Sequence, residues 1–239
     1  MRLGMMQPYF FPYLGYFSLI DDVDVFVLFD RAQFIRHGWV DRNRILKPSG
    51  DDWQYIRVPL RASARETIIG EKQIDDHQPW RNRLLAQVEH YRRRAPHYEV
   101  VRDLLVEVLT PDHRTIADVD RAGITRVCAH LGITTEIVEF SALEVVVPED
   151  PDPGDWALAT CRALPDIDAY CNPIGGRDLF DPARYAAGGV ALEFLESDLP
   201  PYDQLGSPFL AGLSIIDVMM FNSVDEIRSM LLRRRVVPA

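Results

Sequence analysis

The stretch MMQPYFFPYLGYFSLIDDVDVFVLFD, residues 5–30, carries more structural information than any other part of the chain. Its first half is too rich in proline and glycine for a helix and too irregular for a strand, which predicts a rigid aromatic loop. Apolar runs of strand length lie on either side, at residues 2–6 and 25–29, and residues 16–22 are predicted to form a helix between them. A strand, a short helix and a second strand in close succession indicate a right-handed parallel βαβ unit.

The rest of the chain continues this alternation of strands and helices. Further strands are predicted at residues 53–60, 134–140, 168–171 and 190–195. Helices are predicted at residues 79–94, 98–109, 112–130 (one helix or two), 156–164, 213–221 and 224–234. Pro111 is expected to end the second helix, and Asp155 to cap the helix that starts at residue 156.

The expected fold class is therefore α/β, with a three-layer, Rossmann-like, mainly parallel sheet. We expect a single domain over residues 1–239, with a helical insertion at about residues 75–130. Residues 32–48 are predicted to be irregular. Residues 147–155 are acidic and rich in proline, which predicts a surface loop or a lid.

The composition is that of a globular chain with an acid excess. The 239 residues are 47% hydrophobic and 26% charged, which suffices to bury a core. No apolar run reaches the ~20 residues of a membrane span, and the start has no signal-peptide pattern, so we expect a cytoplasmic protein. The net charge of −10 opposes nucleic-acid binding. A small anionic ligand stays compatible with it, because local basic groups can dominate the field of one pocket.

Cations are concentrated between Arg81 and His97 in this otherwise acidic chain. Two interpretations stay open for this run. It is either the solvated face of a helix or a docking patch for an acidic partner such as an acyl carrier protein.

Polar residues follow several of the predicted strands. In a parallel sheet, ligands bind beyond the carboxyl ends of the strands. Gln7, Asp30, Gln33, Ser141 and Asn172 are expected at that edge. We predict that Asp30 is catalytic as a general base, although a carboxylate there could also be a metal ligand or cap the next turn. The other four are predicted to bind substrate. Gln7 suits a sugar hydroxyl or a base edge, or else holds its own loop.

The aromatic loop supplies further candidates for substrate binding. Tyr9, Phe11 and Tyr16 could stack on a base or a sugar ring, or pack in the core. Gly15 stands at the start of a predicted helix, where backbone amides attract phosphate.

The motif GWVDRNRI, residues 38–45, is interpreted as a polar hook. Arg44 can bind a phosphate or carboxylate through two hydrogen bonds, with Trp39 beside it. Asn43 can make one specific hydrogen bond and is a candidate catalytic donor. His37 precedes the motif and is a candidate catalytic base, because histidine titrates near neutral pH. The alternatives are a loop held by its own side chains and a surface histidine.

The three cysteines have no metal-binding spacing. Cys171 ends a predicted strand beside Asn172, so it is either a nucleophile or a buried packing residue. The sequence contains no P-loop, dinucleotide fingerprint, zinc triad or hydrolase elbow. We therefore predict neither a cofactor nor a metal.

Four motifs, in this order, resemble the WbqC-like family of bacteria: QPYFFPYLGYF (7–17), RAQFIRHGWVDRNRI (31–45), PPYDQ (200–204) and FLAGLSIIDVMM (209–220). The family is associated with O-antigen and related polysaccharide biosynthesis. The resemblance implies a transferase that attaches an acyl or aminoacyl group to an amino sugar or similar amine. The alternative is a non-catalytic module that binds a sugar nucleotide or an acyl carrier protein. Tyr202 and Gln204 of the PPYDQ motif are expected to contact substrate.

The strand, proline-containing loop and helix at the start also resemble the nucleotidyltransferase superfamily with its HIGH-type motif. The likeness extends to fold alone. Gly15, Tyr16 and Phe17 stand where that superfamily has a phosphate-binding histidine pair, so ATP chemistry is not expected.

Overall fold

A six-stranded sheet forms the centre of the protein, in the strand order β5-β2-β1-β6-β7-β8. The computed structural model describes residues 1–110, 112–204 and 208–239. The strands of this sheet are β1 (Arg2–Met6), β2 (Val25–Leu28), β5 (Glu136–Glu139), β6 (Ala169–Pro173), β7 (Ala191–Ser197) and β8 (Arg234–Pro238). A separate antiparallel pair is formed by β3 (Arg42–Leu46) and β4 (Trp53–Arg57).

Helices cover both faces of the central sheet. They are α1 (Leu14–Asp22), α2 (Trp80–Val88), α3 (Tyr98–Leu109), α4 (Ile116–Leu131), α5 (Pro153–Ala163), α6 (Pro182–Ala187), α7 (Ile215–Phe221) and α8 (Val224–Leu231). Pro111, expected to end α3, lies outside the described residues. Among the described helices, none is both long and apolar enough to cross a membrane.

The predicted α/β class with a mainly parallel sheet is confirmed. All pairs in the sheet are parallel except β7 with β8. Alternate residues of β2 enter two different cores. Phe26 and Leu28 pack with α1 and α4, whereas Val25 and Val27 pack with α5 and α6. This double burial explains the continuous apolar run, because both faces of the strand are covered.

One prediction about the middle of the chain is wrong. Residues 32–48 are not irregular throughout, since they contain β3. The strand predicted at residues 53–60 is present as β4, and it pairs with β3 outside the central sheet. The sequence pattern did not indicate β3 because this strand begins with polar residues. Arg42 and Asn43 are buried in β3, where their side chains bond to nearby carbonyl groups.

The C-terminal helix is shorter than predicted. It ends at Leu231, and residues 234–238 form the antiparallel edge strand β8. Arg234 is held by ion pairs to Asp21 (2.7 Å) and Asp22 (2.8 Å), on the last turn of α1. These contacts fix the chain beside the sheet, where the following valines pair with β7.

The start of α5 also differs from the prediction. Asp152, not Asp155, is the residue before the helix, and the two form a reciprocal capping box. The helix therefore begins at Pro153, within the segment 147–155 that the sequence assigned to a loop. A lid formed by that segment stays a prediction.

Candidate functional site

Asp30 and Ser141 meet at the carboxyl edge of the sheet. The backbone N–H of Ser141 donates to Asp30 Oδ1 at 3.0 Å, and its hydroxyl donates to Oδ2 at 2.5 Å. The backbone N–H of Gly70 donates to the Asp30 carbonyl at 2.9 Å. Asp30 is buried. Both carboxylate oxygens are thus occupied, so the residue ties β2 to the turn that follows β5.

Ser141→Ala is expected to lower the free energy of unfolding by about 1 kcal/mol, because it removes one charge-assisted hydrogen bond from a buried carboxylate. Urea denaturation measures the change. Ser229→Ala is the matched control, since that exposed hydroxyl bonds only within its own helix. Equal effects of the two substitutions would show that the tie contributes nothing.

Two other candidates at this edge also bond locally. Gln7 is half-buried after β1, and its backbone carbonyl accepts a bond from the Tyr16 hydroxyl at 2.9 Å. The Asn172 side chain accepts from Tyr170 at 3.2 Å and donates to the Pro173 carbonyl at 3.1 Å. Asn172 lies within β6 and is 8% exposed.

Cys171 is a packing residue and not an accessible nucleophile. It lies fully buried in the middle of β6. The strand was predicted to end at this residue but continues for two residues more. Burial raises the pKa of its thiol to about 12. Nucleophilic attack requires the thiolate, which is therefore scarce at neutral pH.

Four of the predicted substrate-binding and catalytic residues line one small pocket of about 240 Å³. We call it the aromatic pocket. It brings together the N-terminal loop, the β3–β4 pair (called the hairpin below) and the segment before α7. Its lining residues are Tyr9, Pro12, Tyr13, Trp39, Asn43, Arg44 and Gly212.

Asn43 holds the N-terminal loop in place beneath the aromatic pocket. Its amide donates to the carbonyls of Phe10 (3.0 Å) and Phe11 (2.8 Å). Ser214 donates a third bond, from its hydroxyl to the Phe11 carbonyl at 2.7 Å. Phe11 has a φ of 41°, in the left-handed region that non-glycine residues rarely adopt. The surrounding bonds offset this local strain.

Arg44 contacts two aromatic rings. Its guanidinium lies 5.2 Å from the ring of Trp39 and 5.3 Å from that of Trp53. Nη2 donates to the Gly212 carbonyl at 3.1 Å. A guanidinium held by these contacts forms a cationic wall of the pocket and has little freedom to lose when a ligand binds.

The three rings named as stacking candidates have different positions. Phe11 and Tyr16 are in the core, whereas Tyr9 is half-buried and reaches the aromatic pocket. Gly15 is buried in the first turn of α1. A Cβ there would lie 2.5 Å from the Tyr13 ring, so any other residue would require that ring to shift.

A larger cleft of about 790 Å³ lies along the hairpin and was not predicted. We call it the cationic cleft. Three aromatic side chains line it: Phe34, Tyr55 and Trp80. Its five arginine and lysine side chains are Arg36, Arg57, Arg61, Lys72 and Arg83. An adjoining cavity of about 750 Å³ shares Phe34, Arg36 and Lys72 with it and adds Gln33 and Arg65.

Two sequence candidates lie at this cleft. His37 lines it, and its φ of 68° places its backbone in the left-handed region. The His37 carbonyl accepts from Arg42 at 2.5 Å. Gln33 is exposed in the adjoining cavity, where its amide donates to the Arg65 carbonyl at 2.7 Å.

Lys72 is the buried cation of the cleft. Its Nζ donates to the Arg61 carbonyl (2.5 Å) and to the Ser63 hydroxyl (2.6 Å) and lies 5.3 Å from the Phe34 ring. Its side chain lacks a carboxylate partner among these contacts. Loss of hydration on burial lowers the pKa of this ammonium group.

Asp41 brings a carboxylate to the same cleft. Its Oδ2 lies 3.8 Å from Arg57 Nε. Burial raises the pKa of Asp41, although the nearby Arg57 opposes the shift. A carboxylate of raised pKa is a stronger base than an exposed aspartate.

Tyr202 and Gln204 take part in a buried network and lie outside the two cavities. The hydroxyls of Tyr91 (2.5 Å) and Tyr202 (2.6 Å) donate to Asp217, and the Gln204 amide donates to it at 3.3 Å. Asp217 is fully buried, and burial raises its pKa against these bonds. Gln204 also pairs with both backbone groups of Leu210. The network thus fixes the segment that leads to Gly212 in the aromatic pocket.

The chain was also compared with known protein families. The model of the WbqC-like protein family matches residues 7–229. The chain belongs to the WbqC-like family. A Mycobacterium tuberculosis protein described as "Uncharacterized protein Rv1507c" is 25% identical over 223 residues, covering 92% of this chain and 93% of that protein. No solved structure matches the chain. The family match includes every residue of both cavities described above.

Proposed function

We propose that this WbqC-like protein is an acyl- or aminoacyl-transferase of surface polysaccharide or related secondary-metabolite biosynthesis. Its acceptor would be the amine of an amino sugar carried on a nucleotide. The cationic cleft is the observation that supports this proposal. Five cationic side chains line it against two carboxylates, those of Asp41 and Asp75, in a chain whose net charge is −10. Local charge of that sign attracts an anionic ligand despite the acidic total.

The chemistry of the cleft suits a nucleotide diphosphate. Guanidinium groups bind phosphate oxygens in pairs, and Arg57 and Arg83 are exposed along the cleft wall. Tyr55 lies beside them with an aromatic face for a base or sugar ring. The cavity volume of about 790 Å³ lies in the range of small-molecule sites.

In the proposed reaction, the amine nitrogen of the sugar attacks the carbonyl carbon of an acyl or aminoacyl thioester. The C–N bond forms and the C–S bond breaks. Asp41 accepts the proton that the nitrogen loses, and the thiolate leaves and takes up a proton from water. The raised pKa of Asp41 suits it to this role. The thioester is the co-reactant that the proposal requires.

The residues first proposed as catalytic take supporting roles in this proposal. Both carboxylate oxygens of Asp30 accept bonds from Ser141. The amide of Asn43 donates to the carbonyls of Phe10 and Phe11. The two residues would position the loops on which the two cavities depend. The aromatic pocket, with Arg44 in its wall, would hold part of the second substrate.

The test is a reconstituted reaction with a UDP-linked amino sugar and acetyl thioesters of coenzyme A and of an acyl carrier protein. Mass spectrometry is expected to detect the N-acylated sugar nucleotide with the wild type and a loss of at least tenfold in rate with Asp41→Asn. Absence of product from both donors would contradict the transferase. Product formed at an unchanged rate by Asp41→Asn would contradict its role as the base.

A non-catalytic carrier-binding module is the second candidate, and the residues after α2 favour it. Arg93 and Arg94 are exposed there, whereas Arg81 and Arg92 pair with acidic neighbours. If this surface binds an acidic carrier protein, Arg93→Glu with Arg94→Glu is expected to weaken binding about tenfold in calorimetry, because like charges then oppose contact. Arg162→Glu, exposed on α5, is the matched control. Carrier binding that survives the double reversal would leave this run as a solvated helix face.

A further inference from the structure

Asp120 is a buried carboxyl group without a hydrogen-bond partner. It lies in α4 with no exposed surface, and neither of its oxygens has a bond among the described residues. Buried polar groups are nearly always bonded, and an ionised carboxylate in an apolar interior is very unfavourable. Its state therefore needs an explanation.

Helix α4 lies directly behind the cationic cleft. The backbone N–H of Ile116, at its start, donates to the carbonyl of Lys72 at 2.9 Å. Asp120 is about one turn further along. Gly123 follows on the same helix face, and a Cβ there would lie 3.4 Å from the Phe11 ring. Asp120 thus belongs to the face that packs on the Phe10–Phe11 turn.

Asp41 lies in a segment that contacts the same turn. The Trp39 carbonyl, two residues before Asp41, accepts from the Phe10 N–H at 3.0 Å, so this segment is bound to the turn on both sides of Asp41. Asn43 binds the carbonyls of Phe10 and Phe11. Asp41 Oδ1 is buried and has no partner among the described residues. The three unpartnered carboxyl oxygens therefore belong to two residues that flank one turn.

We propose that Asp41 and Asp120 form an acid–carboxylate pair that holds a single proton at the inner wall of the cationic cleft. The proton resides on Asp120, whose O–H donates to the Asp41 carboxylate. Such a pair gives a partner to Asp41 Oδ1 and to one oxygen of Asp120, and protonation removes the charge from the other Asp120 oxygen. Neighbouring carboxyl groups share a proton because both cannot be ionised at close range.

The surrounding charges determine which residue keeps the proton. The ionised form of Asp41 is favoured by three nearby groups, Arg57, Arg42 and His37. The charge of Asp41 in turn acts to raise the pKa of Lys72. For Asp120, burial raises the pKa most, and the charge of Asp41 raises it further. The Tyr16 hydroxyl is the other titratable group affected by Asp120. The pair itself does not depend on the proposed function, whereas its use in taking up the amine proton does.

Infrared spectroscopy of the ligand-free protein tests the pair. The wild type is expected to show the C=O stretch of a protonated carboxylic acid at pH 7, and Asp120→Asn is expected to abolish it. Asp41→Asn should shift this band, because the acceptor changes from a carboxylate to an amide. Asp112→Asn, at an exposed aspartate, is the control that leaves it unchanged. A wild-type spectrum without the band, or a band that survives Asp120→Asn, would overturn the proposal.

A second measurement needs no variant. In carbon-13 NMR of protein labelled at aspartate carboxyls, one resonance is expected to keep its protonated chemical shift at pH 7 while exposed aspartates titrate near pH 4. Titration of every aspartate below pH 6 would overturn the proposal. Because substrate is absent from both measurements, they can fail while the transferase reaction succeeds, and the reverse.

The pair also predicts a pH dependence of stability. Above the pKa of an unfolded aspartate, the folded protein binds one proton more than the unfolded chain, so its stability falls as pH rises. Between pH 5 and pH 8, the melting temperature of the wild type is therefore expected to fall more steeply than that of Asp120→Asn. Parallel curves for the two proteins would contradict a proton on Asp120.

Discussion

Asp217→Ala is expected to lower the free energy of unfolding by about 3 kcal/mol, because two tyrosine hydroxyls lose their acceptor. The donors are the hydroxyls of Tyr91 and Tyr202, whereas the Gln204 amide keeps its bond to the Leu210 carbonyl. Each buried donor left without a partner costs about 1 kcal/mol or more. Urea denaturation, with the slope of the transition compared between variants, measures the loss.

Tyr202→Phe is the matched control for this network. It removes the bond that the hydroxyl donates to Asp217 and the bond that it accepts from Gln204, whose amide keeps other acceptors. Tyr91 stays bonded to Asp217, so the expected loss is about 1 kcal/mol. If Asp217→Ala costs no more than Tyr202→Phe, the network does not stabilise the fold as described. The network also fixes Leu210 near the aromatic pocket, so loss of Asp217 is expected to loosen that wall.

Removal of two exposed arginines from the cationic cleft is expected to weaken binding of a UDP-linked sugar about a hundredfold. Arg57→Ala and Arg83→Ala should each cost about tenfold, the usual effect of losing one charge-assisted bond to phosphate. Both side chains are exposed, so the fold should be kept. Isothermal titration calorimetry measures the dissociation constants of the single and double variants.

Arg162→Ala controls for the loss of positive charge alone, since Arg162 is exposed on α5, on the other face of the sheet. Its dissociation constant should stay within about twofold of the wild type. An equal change in Arg162→Ala and in the cleft variants would point to a general electrostatic effect. Unchanged binding in the double variant would place the ligand elsewhere.

The sequence was sufficient for the elements that local pattern determines. The βαβ unit, the aromatic loop and the parallel sheet follow from residues 5–30, because an apolar run bounded by turn residues has few alternatives. Motif residues of the loop and the hairpin do meet. Tyr9, Trp39, Asn43 and Arg44 line one pocket, although 34 residues lie between the first and the last of them.

The cationic cleft could not be predicted from spacing. Its cations are distributed from Arg36 to Arg83, and no two of them share a motif. The hairpin that brings them together was hidden, because Arg42 and Asn43 are polar residues in a buried strand. Arg42 lies 4.3 Å from the Tyr55 ring, so its burial depends on a partner across the strand pair.

The role of Asp120 could not be predicted from the sequence either. Within α4 it follows Asp118, whose carboxylate completes a capping box with Thr115. Only the packed structure separates the two aspartates, because one faces the helix start and the other faces the core. The sequence pattern also placed Cys171 at the end of its strand, whereas it lies in the centre. The two residues that continue the strand, Asn172 and Pro173, are not typical of a strand, so the pattern did not include them.

The central claim is that the cationic cleft binds a nucleotide sugar. A crystal structure of the protein soaked with a UDP-linked amino sugar tests it most directly. We expect the diphosphate within hydrogen-bond distance of Arg57 and Arg83, with the sugar amine facing Asp41. Diphosphate density at any other place on the protein, or an empty cleft at saturating ligand, would contradict the account.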